Sequence, residues 1–322
     1  MMASVMAPAR RVGLFIPSSS ATALNNNGWA LFDAAIKWAV AAPGAPTPTP
    51  TPTPRPTPTP TGVMTFAAIG DFGVNDANEL NVANMVKSWN PAFVITLGDN
   101  NYSDGAASTI DQNIGKYYHD FISPYTGSYG AGATANRFWP SLGNHDWNLG
   151  NCNGHLNYFA LPNNERYYDF VRGPVHFFAL DSDGHEPDGT SSTSIQGRWL
   201  QSKLAASKAR WKIVYFHHPP YSSSSTHGSS TWMRWPFQQW GASAVLSGHD
   251  HTYERLDKGG FPYFVNGLGG RSRYAFGSPL PESVVRYNSA HGAQHIEATN
   301  TYITFTFYNT SGLQVDSFTL RQ

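Results

Sequence analysis

Five apolar, strand-like runs in this sequence each end in side chains that can bind a metal ion. The endings are Gly70-Asp71, Gly98-Asp99, Gly143-Asn144, His217-His218 and Gly248-His249-Asp250-His251. In an open α/β sheet, binding sites assemble outside the carboxyl ends of the strands, so we expect these side chains to converge. Carboxylate, amide and imidazole donors together suit iron, manganese or zinc. The sequence therefore predicts a metal centre built from five strand ends.

The elements that must position these residues follow from the hydrophobic pattern. Strands are predicted over 64–69, 92–97, 138–142, 167–171, 175–181, 212–216, 244–247, 302–308 and 314–320, and helices over 77–89, 109–121, 195–209 and 232–240. Strands alternate with helices in the first part of the chain, and hairpin signals dominate the last part. This order is typical of an α/β fold with a mixed sheet or a sandwich of two sheets.

Composition narrows the class of protein. Lys and Arg together number 21, as do Asp and Glu, so the 322-residue chain lacks the basic excess of a nucleic-acid or anionic-membrane binder. No apolar run reaches the ~18 residues that a membrane span needs. The sequence contains one cysteine, Cys152, which excludes an intrachain disulfide. Because charged residues make up only 13% of the chain, Ser, Thr, Asn and Gly carry the polar surface, and we predict a secreted or periplasmic protein.

Changes in composition divide the chain into three predicted parts. Residues 46–61 alternate Pro with Thr, except at Arg55, and this pattern favours a stiff polyproline II linker. Residues 1–45 carry one amphipathic helical pattern and predict the closing fragment of an upstream α/β module, joined covalently through the linker. Residues 62–322 form the predicted catalytic domain.

The five endings, in this order, resemble the motifs of the calcineurin-like metallophosphoesterases, and within them those of the purple acid phosphatases. The resemblance covers residues 65–320 and implies a four-layer αββα sandwich with mixed sheets. Two coupled differences indicate the purple acid phosphatases. The first motif has Gly73 where generic members have a histidine, and the second has Tyr102 three residues after Asp99. One imidazole ligand is thus replaced by a phenolate, which prefers a trivalent iron.

The resemblance also implies a dinuclear centre of Fe(III) and a divalent ion, which is Zn, Fe or Mn. The ferric ion would be bound by Asp71, Tyr102 and His251, the divalent ion by Asn144, His217 and His249, and Asp99 would bridge the two. The implied reaction is hydrolysis of a phosphate monoester with a metal-bound hydroxide as nucleophile. The expected substrate is therefore a small phosphorylated molecule.

Three further residues are predicted to act in catalysis. His145 is the candidate proton donor to the leaving group, and Asp146 is available to orient it or to raise its pKa. His227 resembles the substrate-facing histidine that follows the fourth motif in this family. His218 is expected to point away from the metals if the strand pleat continues.

Three alternative functions stay open at this point. A phosphodiesterase or nucleotidase would use the same centre, because the loops that select the substrate, over 103–137 and 148–166, carry no recognisable motif. A non-catalytic metal-binding module would be expected to have lost ligands, and none is missing. A structural or adhesive module is favoured only by the Pro-Thr segment and the Ser/Thr-rich composition.

Overall fold

The computed structural model describes residues 62–322. The upstream fragment predicted over 1–45 and the linker predicted over 46–61 lie outside the described residues. Within them, two mixed β-sheets pack face to face, and helices cover the outer sides. This arrangement confirms the predicted αββα sandwich.

Thirteen strands lie within residues 62–322. They are β1 (Met64–Ile69), β2 (Phe93–Leu97), β3 (Phe138–Ser141), β4 (Tyr168–Arg172), β5 (Val175–Ala179), β6 (Trp211–Tyr215), β7 (Ala244–Ser247), β8 (Tyr253–Lys258), β9 (Phe261–Asn266), β10 (Ser283–Tyr287), β11 (Gly292–Ala298), β12 (Tyr302–Asn309) and β13 (Gln314–Arg321). The first sheet has the order β13-β12-β11-β1-β2-β3, and the second has the order β10-β8-β9-β7-β6-β5-β4. Strands β1 to β3 are parallel, as are β5, β6, β7 and β9. These parallel groups supply the strand ends that carry the metal-binding motifs.

Helices connect the parallel strands. The α-helices are α1 (Ala77–Ser88), α2 (Lys116–Tyr118), α3 (Asn144–Trp147), α4 (Asn153–Tyr158) and α5 (Ile195–Ala206); a π-helical turn (Asp111–Gly115) precedes α2, and 3-10 turns span His119–Phe121 and Thr231–Met233. The Asp76 side chain accepts hydrogen bonds from the first-turn N–H groups of α1, and Ser194 caps α5 in the same way. None of the helices between residues 62 and 322 combines the length and apolar character that crossing a bilayer requires.

The central strands of the second sheet are buried on both faces. Along β6, Ile213 and Tyr215 join the core between the sheets, whereas Val214 packs in the outer core with Leu200 and Leu204 of α5. Because strand side chains alternate between faces, burial on both faces requires an uninterrupted apolar run. The apolar runs therefore fix these strands in the interior, and the polar residues follow where each strand ends.

The helix predicted over 232–240 does not form. This segment starts within a single 3-10 turn, Thr231–Met233, and continues as turns. Pro236 lacks the N–H group that a helix interior needs. Trp235 and Phe237 are instead buried against the outer face of the second sheet. Aromatic spacing at this position reflects core packing in an irregular segment.

Candidate metal centre

The side chains that follow β1, β2 and β7 meet around the hydroxyl group of Tyr102. Its Oη atom lies 3.2 Å from Asp71 Oδ1 and 3.0 Å from Asp99 Oδ2. The same atom lies 3.2 Å from Nε2 of His251. All four side chains are buried. Three oxygen donors and one imidazole nitrogen therefore converge at one point, which is a donor set suited to a hard cation.

A second group of donors lies on the other side of Asp99. His217 Nε2 is 3.0 Å from Asn144 Oδ1, 3.1 Å from His249 Nδ1 and 3.3 Å from Asp99 Oδ1. Asp99 therefore directs Oδ2 towards Tyr102 and Oδ1 towards His217. Asn144 and His249 are only half-buried, so this side of the centre is open to solvent.

Backbone carbonyl groups set the tautomers of the two buried imidazoles. His217 Nδ1 donates to the Leu97 carbonyl oxygen at 2.9 Å, and His251 Nδ1 donates to that of Ser272. A carbonyl group only accepts, so Nδ1 carries the hydrogen in both rings. Each Nε2 therefore offers its lone pair to the centre, which is the arrangement typical of metal-binding histidines.

The backbone at the strand ends adopts an unusual conformation. Asp71, Asp99 and His249 have φ angles of 58°, 51° and 69°, in the left-handed region that non-glycine residues rarely occupy. Such conformations cluster at functional sites because they direct side chains to a common point. The neighbouring Gly143 allows a close approach, since a Cβ atom there would lie 2.2 Å from the Asp99 nitrogen. The left-handed backbone after the strands and the absence of a side chain at Gly143 together allow the five strand ends to lie close to one another.

The loop after β1 has no room for a side chain at Gly73. A Cβ atom at this position would lie 1.8 Å from the Asn100 carbonyl oxygen. Moreover, Tyr102 N donates to the Gly73 carbonyl oxygen at 2.9 Å, which links the first and second motifs. An imidazole cannot occupy position 73 in this packing, and the Tyr102 hydroxyl lies in the centre instead.

The electrostatics of the centre favour a cation. Burial opposes ionisation of Asp99, but the charge and hydrogen bond of His217, together with the charge and backbone N–H group of His145, outweigh burial and hold the pKa of Asp99 below its usual range. For His217, burial lowers the pKa, yet Asp99 and Asp71 more than compensate and raise it to about 10. The two carboxylates therefore create a strong negative potential at the ligand atoms.

The surroundings of Tyr102, unlike those of Asp99, favour the neutral form of its side chain. Burial, followed by the charges of Asp99 and Asp71, raises its pKa well above the usual value. Only a strongly charged cation bound against the oxygen would reverse this shift, because bound ions dominate the local electrostatics. Asp71, Asp99 and His217 each offer a ligand atom, and these atoms lie within 4.8 Å of one another. The donor set thus fits metal binding.

His145 lies at the edge of this centre with one nitrogen free to act. Its Nδ1 donates to the Ser103 carbonyl oxygen, while its Nε2 is 3.9 Å from Asp99 Oδ2. The imidazole ring centre is 4.4 Å from that of Tyr102, and the side chain is partly exposed. The free nitrogen therefore faces the space beside the metal ligands.

Asp146 has a different role from the predicted one. Its carboxylate accepts hydrogen bonds from the Gly143 N–H group and from the backbone and side chain of Asn100, at 2.9 to 3.2 Å. Burial, and then the charge of Asp99, raise the pKa of Asp146 to about 7. The prediction that Asp146 orients His145 is wrong, because the Ser103 carbonyl group holds that ring. Asp146 instead fixes the turn that carries Asn144.

His227 lies where the structure opens to solvent. Its exposed ring stacks on that of His249, with ring centres 4.2 Å apart. The N–H groups of His227 and Gly228 donate to the buried carboxylate of Asp250, at 3.3 and 3.1 Å. The loop therefore holds His227 beside the half-buried ligand candidates, next to the predicted site of the substrate.

His218 does not point away from the centre. Strand β6 ends at Tyr215, so the alternation of the pleat does not extend to residue 218. The His218 ring centre is 4.4 Å from that of His249, and its Nδ1 bonds to the Ser182 hydroxyl at 2.9 Å. Burial lowers the pKa of His218 to about 3, so this ring stays neutral beside the centre.

Several contributors to the centre carried no recognisable signal in the sequence. The carbonyl groups of Leu97, Ser103 and Ser272 orient imidazoles, and any residue type could supply them. Tyr274, in the loop after β9, stacks on His251 with ring centres 4.0 Å apart. The guanidinium of Arg271, in the same loop, lies 5.1 Å from the ring centre of Tyr102.

A double sheet with metal-binding side chains at its carboxyl edge defines the protein as a metallophosphoesterase. Residues 64–253, more than half of the chain, match the family model described as calcineurin-like phosphoesterase. The chain therefore belongs to the calcineurin-like phosphoesterase family, and it is a metal-dependent phosphoesterase.

Curated relatives lie among the acid phosphatases. The chain is 27% identical over 300 residues to tartrate-resistant acid phosphatase type 5 of Mus musculus, covering 77% of this chain and 88% of that protein. It is 25% identical to purple acid phosphatase 17 of Arabidopsis thaliana, covering 78% and 82% of the two chains. These similarities confirm the predicted resemblance to the purple acid phosphatases.

Two solved structures share the fold. A purple acid phosphatase from yellow lupin (Lupinus luteus) seeds superposes with a TM-score of 0.69 at 19% identity, covering 83% of this chain and 55% of that one. GAP50, described as the anchor in the inner membrane complex of Plasmodium, gives 0.63 at 20% identity, covering 80% and 89%. The same fold thus occurs in an acid phosphatase and in an anchor protein, so function must be argued from the site.

Proposed function

We propose that this protein hydrolyses phosphate monoesters with a dinuclear centre of Fe(III) and a divalent ion, which is Zn, Fe or Mn. The observation that carries the proposal is the convergence of seven donors with a histidine at their edge. The seven are Asp71, Asp99, Tyr102, Asn144, His217, His249 and His251. Similarity to tartrate-resistant and purple acid phosphatases supports the choice of monoesters.

The difference between the two donor groups supports the assignment of the ions. Asp71, Tyr102 and His251 supply anionic oxygen donors and one imidazole, which suit a trivalent ion. Asn144, His217 and His249 are neutral donors, which suit a divalent ion. Asp99 would bridge the ions, since its two oxygens face the two groups. When bound, the ions would polarise the phosphoryl oxygens and activate water for in-line attack.

His145 would supply a proton to the leaving oxygen. Because Nδ1 is committed to the Ser103 carbonyl group, the transferable proton of the imidazolium sits on Nε2, on the side of the ligands. From this position the protonated ring can give up its proton to the leaving oxygen during the reaction. Partial exposure leaves room for the leaving group beside the ring.

His227 would contact the substrate from the open side of the centre. Its ring is exposed and stacks on His249, one of the half-buried ligand candidates. A phosphate group bound between the ions and this ring would therefore meet a histidine hydrogen-bond donor. The carboxylate of Asp250 holds the loop in place, so His227 would need little reorganisation on binding.

A non-catalytic binding role is a second candidate, because the Plasmodium anchor protein has this fold. A module that only binds has no need of a proton donor or of a complete set of ligands. All seven donors and His145 are present and converge in this chain. The balance of these observations favours catalysis.

We further propose that the protein acts outside the cytoplasm. The low share of charged residues, 13%, supports this location. Cell fractionation of the native host, followed by immunodetection, tests it directly. Detection in the cytosolic fraction alone would contradict the proposal.

A panel of substrates tests the proposed reaction. We expect kcat/KM for 4-nitrophenyl phosphate to exceed that for bis(4-nitrophenyl) phosphate by at least about tenfold. The Asp99→Asn variant, which lacks the bridging charge, serves as the inactive control. Faster turnover of the diester would contradict the proposed phosphomonoesterase activity and would favour a phosphodiesterase that uses the same centre. No turnover of any ester by the metal-loaded protein would favour the binding role.

A further inference from the structure

A cavity lies at the end of the two sheets opposite the metal centre. It has a volume of about 450 Å³ and is lined by residues 62–64, 92–93, 135–137 and 172–174. These segments lead into the amino ends of β1, β2, β3 and β5, whereas the ligand candidates follow the carboxyl ends of strands. Because β1 spans six residues at ~3.3 Å each, about 20 Å separate the cavity from the metal centre. The cavity is therefore a site of its own.

The wall of this cavity is mainly apolar. Phe93 in the wall is buried and belongs to the core between the sheets, where its ring centre lies 5.1 Å from that of Phe66. At the mouth, Val63 is 52% exposed, and Ala92 and Ala135 are exposed as well. The cavity thus extends from solvent to the core, and an apolar group that covers this surface gains free energy by removing it from water.

The size of the cavity indicates a small molecule as its occupant. Its volume lies within the range of ~300–1,000 Å³ that is typical of small-molecule sites. A stable protein interface takes about 20–30 residues from each partner, which is far more than the four short segments that line this cavity. Met64, half-buried in the wall, has an unbranched and flexible side chain that adapts to an aliphatic ligand.

Arg172 brings a positive charge to the cavity. Its side chain is exposed, and its guanidinium carbon lies 5.2 Å from the ring centre of Trp139 and 5.9 Å from that of Phe170. Its Nη1 donates to the Val171 carbonyl oxygen at 3.1 Å. The aromatic rings and this hydrogen bond hold the guanidinium in place, and its other nitrogens donate to no group within residues 62–322.

Arg137 is held in a similar way. Its guanidinium carbon lies 4.4 Å from the ring centre of Phe121, and its Nη2 donates to the Asp120 carbonyl oxygen at 3.2 Å. The backbone of Arg137 is fixed too, because its N–H group donates to the Phe121 carbonyl oxygen and its own carbonyl oxygen accepts from Val94 N, both at 2.8 Å. A second guanidinium therefore has a defined position beside the cavity.

No acidic side chain in the described part of the chain neutralises these two charges. Among the ion pairs within residues 62–322, none includes Arg137 or Arg172, whereas Arg166 and Arg255 both pair with carboxylates. A guanidinium without such a partner offers a planar pair of N–H groups to an incoming carboxylate. The charges and the apolar wall together fit an anion that carries an apolar body.

We propose that this cavity is a binding site for a medium-chain aliphatic carboxylate. The aliphatic chain lies against Val63, Met64 and Phe93, and the carboxylate accepts hydrogen bonds from Arg137 and Arg172. Burial of the chain supplies most of the affinity. The two arginines select an anion over a neutral molecule of the same length. Because the cavity is remote from the ligand candidates, no step of ester hydrolysis involves this site.

Three probes separate the contribution of the chain from that of the charge. Octanoate carries both, octan-1-ol carries the chain without the charge, and acetate carries the charge with a single methyl group. We expect isothermal titration of the metal-loaded full chain to show that octanoate binds at least about tenfold more tightly than either other probe. Absence of octanoate binding, or equal affinities for octanoate and octan-1-ol, overturns the proposal.

Substitutions at the arginines and in the wall have different expected results. Arg137→Gln and Arg172→Gln are each expected to weaken octanoate binding by about tenfold, while the affinity for octan-1-ol changes by less than about twofold. Ala92→Trp, which places an indole in the mouth, is expected to weaken both ligands by at least about tenfold. An unchanged octanoate affinity in either arginine variant contradicts the proposal.

Arg321→Gln is the matched control. Arg321 is exposed on β13, its guanidinium carbon lies 5.9 Å from the ring centre of Tyr302, and it is not among the residues that line the cavity. We expect this variant to keep the wild-type affinity for octanoate. A loss equal to that in Arg172→Gln would overturn the proposal, because general surface charge would then account for the effect.

A competition experiment separates the cavity from the metal centre, since metal ions also bind carboxylates. The titration with octanoate is repeated in the presence of saturating inorganic phosphate. We expect the same octanoate affinity with and without phosphate, and no inhibition of aryl phosphate hydrolysis by octanoate. Loss of octanoate binding on addition of phosphate would place the carboxylate at the metal centre and overturn the proposal.

Discussion

His217 at the metal centre and His155 in the interior are both fully buried, yet their surroundings differ in kind. The two nitrogens of His217 face a carbonyl group and the carboxylate of Asp99, and its pKa rises to about 10. Neither nitrogen of His155 has a hydrogen-bond partner within residues 62–322, and burial lowers its pKa to about 3. His155 packs on Phe159 of the same segment, with ring centres 4.8 Å apart.

This contrast shows what separates a ligand from a core residue. Burial alone removes the charge of an imidazole and leaves an apolar ring. A backbone acceptor on one nitrogen fixes the tautomer. Carboxylates near the other nitrogen create a negative potential there, which favours a cation, either a proton or a metal ion, at that nitrogen. Burial therefore does not identify a functional histidine, whereas the partners of its two nitrogens do.

The largest effect is expected from substitutions that remove a ligand from the metal centre. Asn144→Ala and His249→Ala each remove a donor from the open side, and we expect kcat on aryl phosphates to fall more than about 10⁴-fold, since the ion supplies several kcal/mol of transition-state stabilisation. Metal analysis should show loss of the divalent ion alone. His295→Ala, on β11 and packed against Trp89, is the control and should keep both ions. Full activity in either ligand variant would remove that residue from the centre.

The second prediction concerns the histidine that would give up its proton. His145→Ala is expected to keep both metal ions but to lose about 10²–10⁴ in kcat on alkyl phosphates, whose leaving groups need a proton. The deficit should shrink for 4-nitrophenyl phosphate, because its leaving group departs unprotonated. Steady-state kinetics on a series of leaving groups measures this difference. An equal loss across the series would contradict the role of proton donor.

The third prediction concerns the buried His155 and the dependence of stability on pH. Because the folded-state pKa of His155 is depressed to about 3, unfolding takes up a proton below the ordinary value near 6.5, and stability falls as the pH falls through this window. Between pH 7 and pH 5 the loss from this residue is about 2 kcal/mol. His155→Phe should abolish that part of the slope. Urea unfolding at the two pH values measures it, and parallel slopes for the two proteins would contradict the account.

The smallest effect is expected outside both regions. Deleting residues 1–61 should change kcat/KM by less than about twofold, because the described residues contain both sheets, their core and all seven donors. Limited proteolysis of the full chain between residues 41 and 63 should release the same active fragment. A large loss of activity on deletion would show that the upstream residues complete the domain.

Much of the centre could be predicted because its residues follow buried strands directly. The runs of β1, β2, β6 and β7 are mostly apolar, so the polar residues that follow each one mark the edge of a sheet. The hydrophobic pattern did not predict strands that form mainly because of their neighbours in the sheet. Strand β11 reads Gly-Ala-Gln-His-Ile-Glu-Ala, with few residues that favour strands, and it forms because β1 and β12 flank it.

Details of the site depend on contacts that no motif encodes. The carbonyl groups that orient His217, His251 and His145 come from Leu97, Ser272 and Ser103, and a change of side chain would leave them in place. Sequence patterns thus identify the donors, while the folded chain determines their orientation.

Metal content together with the visible spectrum of the oxidised wild-type protein tests the central claim most directly. We expect two ions per chain, one of them iron, and an absorption band in the visible from charge transfer between the Tyr102 phenolate and Fe(III). Tyr102→Phe should bleach this band and keep the fold, since it removes one oxygen and leaves the ring. A colourless wild-type protein that is fully loaded with divalent ions and free of iron would contradict the ferric site, although a phosphoesterase centre would still stand.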